Sequence, residues 1–286
     1  MSFLALAILF ISACMHATWN YLAKQSQGGN LFVAFYMFIS FLWVTPVALW
    51  NISTEGFTLT WPAGAFIVGS ILLHVVYSLS LQYGYKIGDL SLLYPVARGT
   101  GPFMVAFLAM FFYGERLTWL SGTGILLIIV SIFILSGGLR VFYQKGIKVT
   151  VLYGMYVGII IAGYTLVDKG AVTVAAMSPV VFYYFVLIGQ FFVLMPYVWR
   201  WRKETKTEWR KNKYYIVGVG VLNPLAYMLV LLVMTFIPVS HVAPVREMSI
   251  LIGTLMGTKL LSESTSLVRP IGAGLMLLGV ALVAIS

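Results

Sequence analysis

The chain has 286 residues, of which 61% are hydrophobic and only 9% are charged. Soluble proteins carry about 25% charged residues, so this composition excludes a soluble domain and indicates a protein embedded in a lipid bilayer. In a soluble protein, the formal net charge of +10 would suggest nucleic acid as a partner. In a membrane protein, its distribution indicates which loops lie on the cytoplasmic side. The single cysteine, Cys14, excludes an internal disulfide.

Apolar segments long enough to cross a hydrocarbon core of about 30 Å recur along the whole chain. The one long polar segment, residues 200–213, is predicted to be a solvated basic loop. The predicted fold is therefore an all-α, multi-pass integral membrane protein. Its ten predicted transmembrane spans, numbered 1 to 10 in chain order, are residues 3–22, 31–50, 63–85, 90–112, 117–137, 151–167, 179–199, 214–234, 239–261 and 268–285.

Basic residues are distributed unevenly between the two sides of this predicted bundle. The loops that follow even-numbered spans all lie on one side of the membrane, and only Arg116 and Lys169 lie on that side. The positive-inside rule places the opposite, basic loops in the cytoplasm and both chain termini outside, in the cytoplasmic membrane. Fourteen of the eighteen Lys and Arg residues define the basic side: Lys24, Lys86, Arg140, Lys145, Lys148, Arg200, Arg202, Lys203, Lys206, Arg210, Lys211, Lys213, Lys259 and Arg269.

Spans 4 and 9 share a pattern that indicates an internal duplication. "SLLYPVARGTGPFMVAFLAMFFYGERLT" and "SHVAPVREMSILIGTLMGTKLLSESTS" each contain a proline, an arginine within three residues, an apolar run and a glutamate at the turn. Arg98 and Arg246 are 148 positions apart. The same offset separates Glu115 from Glu263, whereas the two prolines are offset by one residue more.

Five spans in each half is an odd number, so the second half crosses the membrane in the opposite sense to the first. Many transporters are built from inverted repeats of this kind. The sequence therefore predicts two inverted five-helix repeats, residues 1–143 and 144–286.

The stretch "FYGERLTWLSGTGILLIIVSIFILSG" at residues 112–137, the ten spans and the duplication together resemble the drug/metabolite transporter superfamily, EamA-type. The resemblance covers essentially the whole chain. It implies export or exchange of a small metabolite, by alternating access through a central cavity between the repeats. Ten-helix members usually have the N-terminus inside, whereas the charge distribution here predicts the reverse.

Two arginines lie well inside predicted spans, about 10–12 Å deep at 1.5 Å per residue. A cationic side chain in a bilayer costs at least ~2.5–3.5 kcal/mol, and an intramembrane ionisable group is functional by default. Two interpretations of Arg98 and Arg246 stay open: they bind an anionic group of the substrate, or they form ion pairs that hold helices together. Glu247 is the first candidate partner and Asp168 the second. Because neighbouring helical residues point about 100° apart, we expect Glu247 to reach Arg98 on another helix.

The balance of charges within the spans favours an anionic or zwitterionic substrate. Guanidinium groups bind carboxylates and phosphonates through two parallel hydrogen bonds, whereas a cation exporter would present an unpaired acid among aromatic rings. The imidazole pKa near 6.5 makes His16 and His74 candidates for proton coupling, together with Asp168. The predicted substrate-binding residues are Arg98, Arg246, Glu247, Tyr94, Asn20, Trp19 and Tyr164.

Other functional classes find little support in the sequence. No zinc-binding, nucleophile-elbow or nucleotide-binding motif occurs, so neither an enzyme nor a cofactor or metal is expected. Efflux of lipophilic or cationic compounds and a non-transporting membrane protein remain as alternatives, and the unit is a monomer or a homodimer. The small-residue patterns at 154–158 and 253–257 predict close helix packing. Glu115 and Glu263 are interpreted as capping or turn residues.

Overall fold

The computed structural model describes residues 1–87, 90–135, 147–261 and 268–286; the side chains at 81–82, 84–92, 136–147 and 257–269 are outside the description. All regular secondary structure in these ranges is helical, as the sequence predicts. The helices are α1 (Phe3–Ser26), α2 (Asn30–Glu55), α3 (Trp61–Ile87), α4 (Leu90–Phe112), α5 (Trp119–Leu135), α6 (Ile147–Thr173), α7 (Pro179–Arg200), α8 (Thr205–Met234), α9 (Val239–Arg246), α10 (Met248–Leu261) and α11 (Val268–Ile285).

Most predicted spans correspond to one helix each. Among the described residues, seven helices are long and apolar enough to cross a membrane, and two shorter apolar helices cover Trp119–Leu135 and Pro270–Ile285. The chain is therefore a multi-pass membrane protein. Two of the sequence-based boundaries are wrong in ways that have a physical explanation.

The first correction concerns span 9, which is divided into α9 and α10 at Glu247. Pro244 has no amide hydrogen to donate to the preceding turn. At the division, the Glu247 amide donates to the Pro244 carbonyl oxygen at 3.0 Å, three residues back, as in a 3₁₀ turn. The interruption leaves Glu247 between the two helices, with its side chain fully buried.

The second correction concerns the basic segment 200–213, which is not a long loop. Helix α8 already begins at Thr205, so only residues 201–204 form a turn. Lysine, arginine and glutamate are good helix formers. A hydrogen bond of 2.7 Å from Asn212 Nδ2 to Glu208 Oε1, four residues apart, also supports this first part of α8.

The helices pack in a reciprocal pattern. The contact of α1 with α8 has its counterpart in the contact of α6 with α3, and the contact of α4 with α6 has its counterpart in that of α10 with α1. Helix α2 packs against α7, and α5 packs against α11. Helices α5 and α11 approach each other closely: a Cβ added to Gly124 would lie 2.7 Å from the Gly279 carbonyl oxygen, and one added to Gly279 would lie 2.7 Å from the Gly124 carbonyl oxygen. Glycine at both positions therefore lets the two backbones meet.

Side-chain registers give the relative direction of the helices. Ser12 Oγ donates to the Ala226 carbonyl oxygen at 2.7 Å, and Gly218 faces Leu22, so α1 and α8 run antiparallel. By contrast, Gly154 faces Val96 and Gly158 faces Thr100, so α4 and α6 run parallel; both pairings agree with helices that alternate in direction along the chain.

The two small-residue patterns behave differently. Gly154 and Gly158 in α6 allow the close contact with α4 that the sequence predicts. Among the described residues, a Cβ added to Gly253 in α10 would meet nothing within 4 Å, so the predicted close packing is not found there. Gly257 lies outside the described side chains.

Glu115, in the turn after α4, caps a helix of the other half of the chain. Its Oε1 accepts from the Val239 amide at 2.7 Å and its Oε2 from the Ser240 amide at 2.9 Å. Both amides lie in the first turn of α9, where the donors have no partner within the helix. Capping is confirmed for Glu115, whereas Glu263 lies outside the described residues.

Candidate functional site

The interruption between α9 and α10 faces α4 and brings a carboxylate to Arg98. Arg98 Nη1 donates to Glu247 Oε1 at 3.1 Å and lies 3.1 Å from Oε2. The Arg98 residue is 7% exposed and Glu247 is fully buried. As the sequence suggests, Glu247 pairs with Arg98 on another helix. A buried charge needs such a partner, since an unpaired one is very costly.

Helix α1 supplies the second contact of the Arg98 guanidinium. Arg98 Nη2 lies 2.8 Å from His16 Nε2. Arginine can only donate, so His16 Nε2 must accept and the imidazole is neutral, with its proton on Nδ1. The Trp19 ring packs edge-on against His16 at 4.9 Å, and Asn20 Nδ2 donates to the His16 carbonyl oxygen at 2.7 Å. On α4 itself, the guanidinium carbon lies 5.3 Å from the Tyr94 ring centroid, within cation–π range.

Arg246 is the less well paired arginine. Its Nε lies 3.7 Å from Glu247 Oε1, which is beyond hydrogen-bond distance, and the residue is 4% exposed. Within the described part of the chain, neither this Nε nor the Nε of Arg98 has a hydrogen-bond partner, but Arg98 is paired through Nη1 and Nη2. Two buried guanidinium groups therefore share one carboxylate. We call Arg98, Arg246, Glu247 and His16 the arginine cluster.

A second polar cluster lies on α3, α6 and α8. The fully buried Asp168 accepts a hydrogen bond from the Tyr227 hydroxyl, and its Oδ2 lies 3.7 Å from His74 Nε2. His74 Nδ1 lies 3.0 Å from the Ser70 carbonyl oxygen. The Tyr164 ring lies against the imidazole at a centroid distance of 4.2 Å. We call Asp168, His74, Tyr164 and Tyr227 the aspartate cluster.

The two clusters are electrostatically linked. Arg246 is close enough to Asp168 for its positive charge to act on that carboxylate. Tyr164 and Tyr227 are likewise close enough to act on Arg246. The predicted site residues thus fall into one connected polar region, with Tyr94, Trp19 and Asn20 around the arginine cluster and Tyr164 in the aspartate cluster.

Sequence reasoning missed Tyr227 and Ser70. Tyrosines in apolar spans are commonly packing or interfacial residues, so Tyr227 carries no signal of its own. Its partner Asp168 does carry one, because a carboxylate near the end of an apolar span requires a donor from another helix. Identifying that donor requires the packing of α6 on α8.

Lys169 follows Asp168 but takes no part in either cluster. Its Nζ donates to the carbonyl oxygens of Met234 at 2.6 Å and Ile237 at 3.1 Å, at the end of α8 and in the connection to α9. Among the described residues, no group of three or more His, Cys, Asp or Glu side chains is arranged to hold a metal ion.

Comparisons with known proteins address the fold and the second half of the chain. The family model described as the EamA-like transporter family matches residues 148–285. No curated protein matches the chain. A solved crystal structure of a protein is similar over 100% of this chain and 98% of its own, with a TM-score of 0.77 and 15% identity. At that identity, the likeness shows the fold alone.

Proposed function

The chain belongs to the EamA-like transporter family, whose model matches residues 148–285, and from this premise we propose a specific transport function. We propose that it is a secondary transporter, an exporter or exchanger, of a small anionic or zwitterionic metabolite. In this proposal the protein works by alternating access in the cytoplasmic membrane, with its basic loops inside and both termini outside.

The proposal includes two inverted repeats, residues 1–143 and 144–286. The region matched by the family model, residues 148–285, nearly coincides with the second of them. The reciprocal packing of α1 on α8 and of α3 on α6 supports the same division, because each contact has a counterpart when the halves are exchanged. In such transporters the substrate site lies where the repeats meet.

The observation that carries the proposal is the shared carboxylate of the arginine cluster. Glu247 forms a close ion pair with Arg98 but leaves Arg246 Nε at 3.7 Å and without a hydrogen bond in the described part of the chain. An anionic group of the substrate would complete the pairing of Arg246. A planar guanidinium suits this role because it donates two parallel hydrogen bonds to carboxylate, phosphonate or sulfonate oxygens.

Efflux of a lipophilic cation has less support. Arg98 and Arg246 both lie beside Glu247, and their positive charges would repel a cationic substrate. The carboxylate of Asp168 is already occupied by the Tyr227 hydroxyl on one oxygen. The same charges make a non-transporting scaffold a poor explanation, because burying two guanidinium groups is costly without a function for them.

Counterflow in proteoliposomes tests the proposal. Labelled methanesulfonate, taurine and tetraethylammonium present an anion, a zwitterion and a cation to the purified protein. We expect exchange of the first two and none of the third. Arg246→Met should lower the rate or affinity about 10–100-fold, since a hydrogen bond to a charged group contributes about 1.5–3 kcal/mol. Arg246→Lys should restore part of the loss, because lysine keeps the charge without the planar geometry.

Arg116 provides a matched control. It is an exposed arginine in the turn after α4, outside both clusters, so Arg116→Met should exchange the probes at the wild-type rate. Exchange of tetraethylammonium alone, or the absence of exchange and binding for every probe, would contradict the proposed function.

A further inference from the structure

The carboxylate of Asp168 has fewer hydrogen-bond donors than it can accept. Its Oδ2 accepts from the Tyr227 hydroxyl, whereas Oδ1 has no hydrogen-bond partner among the described residues. The contact of Oδ2 with His74 Nε2, at 3.7 Å, is beyond hydrogen-bond length whichever imidazole nitrogen carries the hydrogen. The Ser70 hydroxyl acts on the carboxylate but also lies 3.2 Å from His74 Nδ1, and it has a single hydrogen to donate. This fully buried carboxylate is therefore incompletely paired.

Aromatic rings surround the same carboxylate. The Tyr164 ring lies against His74 at a centroid distance of 4.2 Å and lies 6.5 Å from the Tyr227 ring. The Tyr183 ring packs against Tyr227 at 5.0 Å. An acid among ring faces suits an ammonium group, because the carboxylate supplies the opposite charge and the ring faces attract a cation. The sequence analysis associates this pattern with a cation site, and an anion at the arginine cluster does not explain it.

The two clusters carry opposite charges that direct contact does not cancel. With ionised carboxylates and neutral imidazoles, two arginines and one glutamate give the arginine cluster one net positive charge, and the aspartate cluster has one net negative charge. Arg246 acts on Asp168, but in the described part of the chain no ion pair joins them. The ion-pair contact of Arg246 is with Glu247 and that of Asp168 is with His74, each at 3.7 Å. A gap thus separates an incompletely paired cation from an incompletely paired anion.

We propose that Asp168, with the ring faces of Tyr164 and Tyr227, is an ammonium subsite, and that the substrate is a zwitterion whose ammonium group binds there while its anionic group binds Arg246. This inference rests on the proposed function and narrows its substrate class to acids that carry an amino group. One molecule then completes the pairing on both sides of the gap. Its anionic group also offsets the arginine charges that repel a simple cation.

Both subsites lie where the two halves of the chain meet. In the aspartate cluster, His74 on α3 faces Asp168 on α6, and in the arginine cluster, Arg98 on α4 faces Glu247 after α9. A transporter of inverted repeats binds its substrate at such an interface. The ammonium group reaches the buried carboxylate past His74, because that side chain is partly exposed and its contact with Asp168 is not a hydrogen bond.

Two sulfonates test the ammonium subsite. Taurine and isethionate share the ethanesulfonate skeleton and differ only in an ammonium or a hydroxyl group at the other end. We expect the purified wild-type protein to bind taurine at least about tenfold more tightly, which is the contribution of one hydrogen bond to a charged group. Equal affinities, or tighter binding of isethionate, would overturn the inference and leave anion transport intact. Absence of binding and exchange for both, and for methanesulfonate, would contradict the proposed function and the inference with it.

Asp168→Asn separates the two ends of the substrate. The affinity for taurine should fall about tenfold or more, whereas that for isethionate should not fall, because removing a negative charge does not disfavour an anion. Arg246→Met should weaken the binding of both, since both present a sulfonate. If Asp168→Asn lost isethionate binding as much as taurine binding, Asp168 would only support the fold and the subsite would be wrong.

Glu55→Gln is the matched control for this variant. It also replaces a carboxylate with an amide, but Glu55 is exposed at the end of α2, where it accepts a hydrogen bond from Asn51, outside both clusters. Its ratio of taurine to isethionate affinity should equal that of the wild type. A ratio that fell in Glu55→Gln as far as in Asp168→Asn would mean that net charge, and not a subsite, sets the preference.

Tyr164 provides a second variant that keeps the carboxylate in place. Tyr164→Leu removes a ring face and should lower the preference for taurine over isethionate about threefold or more, whereas Tyr164→Phe keeps the ring and should retain most of that preference. Isethionate binding reports in each variant whether the arginine cluster is intact. An unchanged preference for taurine in a Tyr164→Leu protein that still binds isethionate would remove the ring face from the subsite and overturn the inference.

Discussion

Helix α4 and the pair α9–α10 carry the same sequence pattern and adopt different backbones. Helix α4 continues through Pro95 and Arg98, whereas α9 ends at Arg246 and α10 begins two residues later. The spacing from proline to arginine is three residues in the first and two in the second. A 3₁₀ turn rises about 2.0 Å per residue against about 1.5 Å in an α-helix, so it recovers most of the length of one missing residue.

The difference has a consequence for the charges. The turn that compensates for the shorter spacing places Glu247 between the helices, where it contacts Arg98 of α4 and lies beside Arg246. One arginine is thereby well paired and the other is not. We therefore propose that Arg98 both stabilises the bundle through Glu247 and takes part in ligand binding, whereas Arg246 contributes mainly to ligand binding.

The largest expected effect concerns the topology of the bundle, which decides the direction in which α4 and α9 cross the membrane. In a Cys14→Ser background, a cysteine at Thr205 should react with an impermeant thiol reagent only from the cytoplasmic side, and one at Ser178 only from outside. Thr205 starts α8 among the basic residues, and Ser178 precedes α7 on the opposite side. Labelling of the Thr205 position from outside would reverse the proposed topology of both helices.

The second prediction separates the two arginines by stability. Arg98→Met should lower the free energy of unfolding by ~3–5 kcal/mol, because it leaves the buried Glu247 without its close partner. Adding Glu247→Gln should restore much of that loss. Thermal unfolding in detergent measures both. Anion binding should stay impaired in the double variant; recovery of both stability and binding would mean that Arg98 is only structural.

Much of this architecture can be predicted from hydropathy and charge. Apolar runs locate the helices because a bilayer requires about 20 residues for each crossing. The pairing of Arg98 with Glu247 is also predictable. Because the side chains of the adjacent residues Arg246 and Glu247 point in different directions on a helix, Glu247 is expected to reach the arginine of another helix. The interruption of the helix at Glu247 is harder to predict. The one-residue offset between the two prolines indicates a difference between the halves, but hydropathy alone does not distinguish a continuous helix from a divided one.

The aspartate cluster is harder to predict than the arginine cluster. His74, Asp168 and Tyr227 come from three helices with no common sequence pattern, so their contact depends on how each helix is rotated about its axis. Small differences in rotation would turn any one of them toward lipid. Composition can therefore nominate Asp168 as functional, but only tertiary packing identifies its partners.

The third prediction compares the packing of α4 with that of α10. Gly158→Ala should destabilise the protein by ~1–3 kcal/mol, because the new Cβ would lie 2.6 Å from Thr100 Cβ and 2.9 Å from the Ala97 carbonyl oxygen on α4. Gly253→Ala in α10 should stabilise it by ~0.5–1 kcal/mol through helix propensity, since no described residue lies within 4 Å of the added Cβ. Equal effects of the two substitutions in thermal unfolding would contradict the difference in packing.

The smallest expected effect concerns the cap that joins the turn after α4 to the start of α9. Glu115 accepts from the amides of Val239 and Ser240 at 2.7 and 2.9 Å, one with each carboxylate oxygen. Glu115→Ala removes both acceptors and should cost ~0.5–2 kcal/mol. Glu115→Gln should cost less than the alanine variant, because its amide oxygen can still accept from one of the two donors.

Glu204 supplies the control for this cap. It precedes α8 but makes no side-chain capping hydrogen bond, so Glu204→Ala should leave the unfolding temperature unchanged. If Glu115→Ala were as harmless as Glu204→Ala, the cap would contribute nothing and α9 would be held by packing alone. If instead Glu115→Ala destabilises the protein and Glu115→Gln falls between it and the wild type, the turn after α4 fixes the start of α9. That anchor would then help to hold Glu247, eight residues further along, within reach of Arg98.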